Sequence, residues 1–233
     1  MSHATQRSPQ DWRAIARVID HTLLKPETTG AQIEQLCAEA RHYGFATVFV
    51  HPAWVALAAF ELQGSAVRVG TPVGFPQGAH TTATKRFEAE EALRLGAAEL
   101  DMVLNIGALK SGQTERVLGD IRGVVEIAHE GGVILKVILE TPLLTGDEKK
   151  LACELCVAAG ADFVKTATGL AGGATVEDVA LMRSVVGDRA QVKASGGIRT
   201  AASLAAMLDA GAARIGTSSS VAIMRELGAP EAE

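Results

Sequence analysis

A chain of 233 residues, 48% hydrophobic and 21% charged, can bury one sizeable core and is too apolar to stay unfolded, so one compact domain is expected. A formal net charge of -5 and a sequence pI of 5.7 argue against general nucleic-acid or membrane-surface binding and point to a small-molecule partner. No apolar run reaches the roughly 18 residues that a spanning helix requires.

The opening residues, MSHATQRSPQ, lack the apolar segment of a secretory signal and read as a loose polar tail over about 1–10, which makes a cytoplasmic location the expectation. The first strand is then RVIDHT (17–22), followed by the helical pattern TGAQIEQLCAEARHYG (29–44). ATVFV (46–50) and AVRVG (66–70) are the next two strands, and TKRFEAEEALRLGA (84–97) is helical. ELDMVL (99–104) leads to the helix TERVLGDIRGVVEIAHEG (114–131), and VILKVIL (133–139) leads to GDEKKLACELCVAAGA (146–161). DFVKT (162–166), QVKAS (191–195) and ARIG (213–216) are the last three strands, with TAASLAAMLDAGA (200–212) helical before the last of them. Several helical stretches end in Gly-Ala, a stop that feeds directly into the next strand.

Strands that alternate with helices imply parallel pairing through crossovers, and eight such units fit a closed (β/α)₈ TIM barrel better than an open sheet. The alternative, a doubly wound sheet, lacks its usual glycine-rich nucleotide signatures after the first strand. The barrel is expected to use the whole chain, 1–233, as a single domain with a short C-terminal tail at about 227–233.

Barrel enzymes gather their chemistry at the C-terminal ends of the strands, and Asp101, Lys136, Lys165 and Lys193 all lie in or at the ends of apolar strands 4 to 7. A lysine in such a strand is cheaper to point into the barrel than into the apolar helix layer. Three lysines against one aspartate leave surplus positive charge, which lowers the pKa of at least one amine and yields a nucleophile near neutral pH. The competing reading is a structural ion-pair cluster around Asp101. Cys153 and Cys156 share one face of a helix and read as buried packing, and the three cysteines form no disulfide framework. His21 reads as a hydrogen-bonded structural residue, and the histidines show no metal-ligand spacing.

Seven segments in order carry a resemblance: IDHTLLKP (19–26), VGFPQGA (73–79), ELDMVLNIGALKSG (99–112), LKVILET (135–141), FVKTATG (163–169), VKASGGIRT (192–200) and RIGTSSS (214–220). Over residues 17 to 220 the chain resembles the deoxyribose-phosphate aldolases, (β/α)₈ class I aldolases that reversibly cleave 2-deoxy-D-ribose 5-phosphate to acetaldehyde and D-glyceraldehyde 3-phosphate. The resemblance implies that Lys165 forms the Schiff base, that the charge of Lys193 holds Lys165 neutral, and that Asp101 moves protons through water, with Lys136 as its supporting partner. It implies no metal or other cofactor. Sugar phosphates and aldehydes are the implied small-molecule partners, and the oligomeric state stays open, a homo-oligomer included.

Gly169 after strand 6, Gly196 and Gly197 after strand 7, and Gly216, Ser218 and Ser219 after strand 8 stand where barrels bind phosphate through backbone N–H groups. Singly, each glycine reads as a tight turn; together, beside Lys165, they favour a phosphate cradle. Two departures from the family limit the transfer. Many relatives carry a Lys or Arg close behind the strand 6 glycine, where this chain has Leu170, so a cationic contact is expected to be missing unless Arg199 supplies it. Some longer relatives end in a tail with a tyrosine proposed for proton transfer, whereas the sole tyrosine here is Tyr43. Two other functions remain open, a related Schiff-base lyase with a different or unphosphorylated aldehyde substrate and a non-catalytic barrel that binds a sugar phosphate.

Overall fold

The computed structural model describes residues 11–231, so the expected tail at 1–10 and the last two residues of the expected C-terminal tail lie outside the described residues. Eight parallel strands close into one barrel in chain order. They are β1 (Ile19–Leu23), β2 (Thr47–Val50), β3 (Arg68–Val73), β4 (Glu99–Val103), β5 (Ile134–Ile138), β6 (Phe163–Lys165), β7 (Gln191–Ser195) and β8 (Arg214–Thr217). The described helices are α1 (Trp12–Ala16), α2 (Gly30–Tyr43), α3 (Val55–Glu61), α4 (Thr82–Arg94), α5 (Ile106–Lys110), α6 (Thr114–Glu130), α7 (Gly146–Ala159), α8 (Val176–Val186), α9 (Ala201–Asp209) and α10 (Ser220–Glu226).

The helices form because each strand must bury its outer face, and the sequence supplies an apolar stripe for it. In α6 the residues Val117, Ile121, Val124, Val125 and Ala128 are buried at helical spacing. Caps fix where helices begin: Thr145 opens α7 with a capping box, its N–H donating to Glu148 Oε2 at 2.8 Å. Gly96, Gly160 and Gly211 take positive φ values of 104, 88 and 107 just before β4, β6 and β8, the conformation in which a helix stops and the chain turns into a strand. Cys153 and Cys156 are both buried in α7, and burial pushes the Cys153 thiol up to about 12, out of reach of ordinary redox or ligand chemistry.

All eight expected strands are present, with bounds that differ by at most two residues except at the end of the third. The sequence reading ends the third strand at Gly70, whereas β3 continues through Thr71, Pro72 and Val73. Pairing with β2 stops at Phe49↔Gly70, and beyond it β3 pairs with β4 alone, a half-edge that tolerates a proline. The Thr71 hydroxyl donates to the Val50 carbonyl at 2.8 Å in place of a ladder bond. At the other end of the chain, residues up to 231 fold back, with Ala229 9% exposed and the carbonyl of Pro230 3.4 Å from His42 Nε2. The sole tyrosine, Tyr43, is buried against Trp12 and Phe45 at the C-terminal end of α2. Among the described residues no helix is long and apolar enough to cross a membrane.

Candidate active site

Strand register stacks the charged residues. Asp101 pairs with Lys136, Lys165 with Lys193, and Lys193 with Arg214, so alternation turns all of them toward the barrel axis. Asp101 is completely buried and is the hub. Its Oδ1 accepts from Lys136 Nζ at 2.8 Å, and its Oδ2 accepts from Lys165 Nζ at 2.8 Å and Lys193 Nζ at 2.7 Å.

The structure corrects the expected charge count. Glu99 and Asp20 are also buried in the barrel, and Arg214 joins them, giving four basic to three acidic side chains rather than three lysines to one aspartate. Lys136 lies 2.7 Å from Glu99, Arg214 lies 2.6 Å from Asp20 and 3.2 Å from Glu99, and Lys193 pairs with Asp20 as well as Asp101. Glu99 carried a readable signal, since it stands two residues before Asp101 on the same face of β4. Phe49 carried none. Its buried ring lies under three ammonium groups, with the centroid 4.3 Å from Lys193 Nζ, 5.2 Å from Lys165 Nζ and 5.5 Å from Lys136 Nζ. Such contacts contribute about 0.5 to 2 kcal/mol each. A Cβ at residue 70 would stand 2.3 Å from the ring, so Gly70 makes the space that Phe49 occupies.

The same hub splits the titration of its partners. Burial lowers the Lys165 pKa to about 8, with repulsion from Lys193 and Lys136 adding to it and Asp101 opposing it. Lys136 is equally buried, yet attraction to Asp101, Asp20 and Glu99 outweighs that burial and raises its pKa above the ordinary lysine value. Asp101 resists burial because Lys136, Lys165 and Lys193 face it, and it stays ionised, well below the usual carboxylate range. The Lys193 charge, expected to hold Lys165 neutral, acts in that direction here beside desolvation, which is the larger cause.

Of the buried lysines in this cluster, Lys165 reaches a cavity of about 270 Å³ at the C-terminal mouth of the barrel. Gly169, Gly196, Gly197, Gly216 and Ser218 all lie on its wall. Ser219 does not; it precedes α10 and its N–H donates to the Thr217 hydroxyl at 2.9 Å. The β6 and β7 loops touch backbone to backbone, which glycine permits: a Cβ at Gly196 would stand 2.9 Å from the Gly173 Cα. Gly216 also clears space for Lys193, whose Cε would lie 3.1 Å from an added Cβ. Leu170 is on the wall and 71% exposed, and Arg199 and Lys25 share that wall without an ion-pair partner among the described residues. His21 sits outside this cavity, its ring tilted 52° to that of Phe45 at 5.0 Å between centroids and its Nε2 2.7 Å from Glu39 Oε2.

A closed parallel barrel with a buried amine of lowered pKa on the wall of a cavity at its C-terminal mouth has the architecture of a barrel enzyme. Residues 14–226 match the family model described as DeoC/LacD family aldolase. The chain is 58% identical over 211 residues, 90% of this chain and 94% of the relative, to a protein of Geobacillus sp. (strain WCH70) named deoxyribose-phosphate aldolase. Among solved structures, a putative deoxyribose-phosphate aldolase from Coccidioides immitis superposes with a TM-score of 0.90 at 47% identity, covering 93% of this chain and 86% of that one. The deoxyribose phosphate aldolase from Aeropyrum pernix, described as tetrameric, gives a TM-score of 0.87 at 34% identity, covering 95% and 92%. The chain belongs to the DeoC/LacD family of aldolases and is a carbon–carbon lyase.

Proposed function

We propose that the chain is a class I aldolase that reversibly cleaves 2-deoxy-D-ribose 5-phosphate to acetaldehyde and D-glyceraldehyde 3-phosphate, with Lys165 as the Schiff-base residue. The observation that carries this reading is an amine with a pKa lowered to about 8 on the wall of the cavity, 2.8 Å from a carboxylate that orients it. The neutral amine adds to the C1 aldehyde, and loss of water gives an iminium. The C2–C3 bond, β to that iminium, then breaks as the C3 hydroxyl loses its proton. Its electron pair moves into the iminium, leaving an enamine on Lys165 and releasing C3 to C5 as glyceraldehyde 3-phosphate. Protonation at C2 and hydrolysis return acetaldehyde and the free amine.

Asp101 handles the protons through water. Facing three ammonium groups it is a weak base; when Lys165 becomes a neutral amine, one of those cations is gone and its basicity rises. Lys193 and Lys136 hold Asp101 in place and keep it ionised in the resting enzyme. The phosphate lies in the cradle of Gly169, Gly196, Gly197, Gly216 and Ser218, with Ser219 behind it and backbone N–H groups as donors. The setting is cytoplasmic, and self-association follows the precedent of the tetrameric relative.

The direct test measures acetaldehyde release from deoxyribose 5-phosphate beside unphosphorylated deoxyribose, together with borohydride trapping by acetaldehyde. Preference for the phosphorylated sugar and an ethyl group on the peptide carrying Lys165 are expected. Labelling that persists in Lys165→Met sinks the assignment. A chelator is expected to leave the rate unchanged.

A further inference from the structure

The segment LKVILET holds, one residue before its end, a buried carboxyl side chain that the chemistry above does not use. Glu140 is 3% exposed and has no Lys or Arg ion-pair partner among the described residues. Its backbone is left-handed, at φ 57 and ψ 59, the one non-glycine residue with positive φ among those described. That conformation is unfavourable for a side chain bearing a Cβ, and a residue held in it is one the surroundings over-determine. What holds the side chain is Thr168, in the neighbouring loop after β6. The Thr168 hydroxyl donates to Glu140 Oε2 at 2.5 Å, and the Thr168 N–H donates to Oε1 at 3.2 Å. The same hydroxyl accepts from the Leu170 N–H at 3.1 Å. Glu140 thus anchors Thr168, Thr168 anchors Leu170, and Gly169 is clasped between them, facing the Gly196 Cα at 3.6 Å from its missing Cβ. Thr168, Gly169 and Leu170 all line the cavity that Lys165 enters.

We propose that Glu140 is a positioning residue for the phosphate end of the substrate, fixing the β6 loop through Thr168 so that its backbone N–H groups point into the cradle. The inference rests on the substrate reading above. A carboxylate suits this task because it accepts two bonds from one residue at once, whereas an amide in its place turns a donor toward a donor. A negative charge acting directly on the ligand would instead repel the phosphate, so removing it would tighten binding. The two possibilities therefore have opposite signs.

The experiment compares wild type, Glu140→Gln, Glu140→Asp, Thr168→Val and the Glu140→Gln/Thr168→Val pair. It measures kcat and KM on deoxyribose 5-phosphate and on deoxyribose, and inhibition by inorganic phosphate. Glu140→Gln is expected to raise KM for the phosphorylated sugar roughly ten- to hundredfold, with a much smaller fall in kcat and a smaller change on deoxyribose. Inhibition by phosphate should weaken in parallel, Glu140→Asp should recover part of the loss, and the double variant should be little worse than the poorer single one. Borohydride trapping on Lys165 in Glu140→Gln checks that the barrel is intact. Loss of trapping, equal losses on both sugars, or unchanged or tighter phosphate binding each overturn the inference. A wild-type preference for the phosphorylated sugar that Glu140→Gln leaves undiminished overturns it alone. A wild type with no such preference overturns the substrate reading and this inference with it.

Discussion

The mouth and the lower layer of the barrel interior hold lysines one strand apart that titrate in opposite directions. In the lower layer, Lys136 lies between Glu99 and Asp101, and Arg214 lies between Glu99 and Asp20, so each cation has two acids within 3.2 Å. At the mouth, Lys165 has only Asp101, which it shares with two other lysines. Burial is common to both; the supply of acid is what differs. Another buried lysine, Lys85 in the helix layer, extends the comparison. It is matched one to one with Asp120 at 2.5 Å, donates to the Val103 carbonyl at 2.9 Å and lies away from the cavity, and burial lowers its pKa too. A lowered pKa alone does not mark a nucleophile, and the proposal for Lys165 rests on the shared acid and the open cavity beside it.

The most severe way to break this comparison is Lys165→Met. Turnover is expected to fall on the order of 10⁴-fold or more, with no trapped adduct. Stability should be held or raised. With its native pKa near 8 against an ordinary 10.5, Lys165 binds its proton less tightly in the folded chain. Its charge therefore costs stability below about 8, and the cost fades as the pH rises from 8 through 10.5. Thermal unfolding at pH 6 and pH 10 reads this directly, and a melting point that drops at pH 6 would contradict it.

Lys136→Met should do the reverse. It leaves Asp101 and Glu99 each short of a buried partner, so a loss of about 3 kcal/mol or more in unfolding free energy is expected. Denaturant titration measures it. Comparable stability in the two methionine variants would erase the distinction between the layers.

How much of this layering the sequence displays depends on where each charge sits. Lys165, Lys136 and Lys193 stand out because they interrupt apolar strands, and Asp101 for the same reason. Lys85 is invisible by that test, since TKRFEAEE reads as a polar helix although its lysine is fully buried. Asp20 and Arg214 stand at strand positions like the lysines, but their pairing spans 194 residues and depends on barrel closure, which no local pattern encodes. Phe49 is legible as core and not as the ring beneath three ammonium groups. The Glu140–Thr168 clasp joins two loops 28 residues apart, where neither periodicity nor apolar runs give a signal. Ser218 and Ser219 both follow strand 8 in the sequence, and the turn into α10 separates them: Ser218 lines the cavity and Ser219 does not.

A milder intervention sharpens the contrast without emptying the site. Lys193→Leu removes a repelling charge from Lys165 and leaves Asp101 Oδ2 with one ammonium fewer, and both changes favour the protonated form of Lys165. The midpoint of the pH–rate profile should move upward from about 8, by roughly one unit, which cuts the amine fraction near pH 7 about tenfold. Asp101→Leu should depress turnover with less effect on trapping. If both variants lose trapping equally and neither shifts the profile, the cluster is structural.

The smallest expected effect concerns the cradle and Leu170. The sequence alone suggested that a phosphate cation is missing at this position, and that adding one would widen the preference for the phosphorylated sugar. In the folded chain Arg199 and Lys25 share the cavity wall with Leu170. Neither has an ion-pair partner among the described residues, so both are free to face an anion. A charge-assisted hydrogen bond contributes about 1.5 to 3 kcal/mol when it is the first to meet the anion, and less when the charge is already balanced and the residue is solvated. Leu170 is 71% exposed, so a lysine there adds to a wall that is already cationic and already wet. Leu170→Lys should therefore widen the preference only about twofold to fivefold. Arg199→Ala and Lys25→Ala each remove a cation that the glycine cradle cannot replace, and the larger of the two losses identifies the main contact. The preference ratio, measured at low and at physiological salt, decides it, because exposed charges lose their influence as the ionic strength rises. A Leu170→Lys gain larger than either alanine loss means that the wall lacked its cation after all.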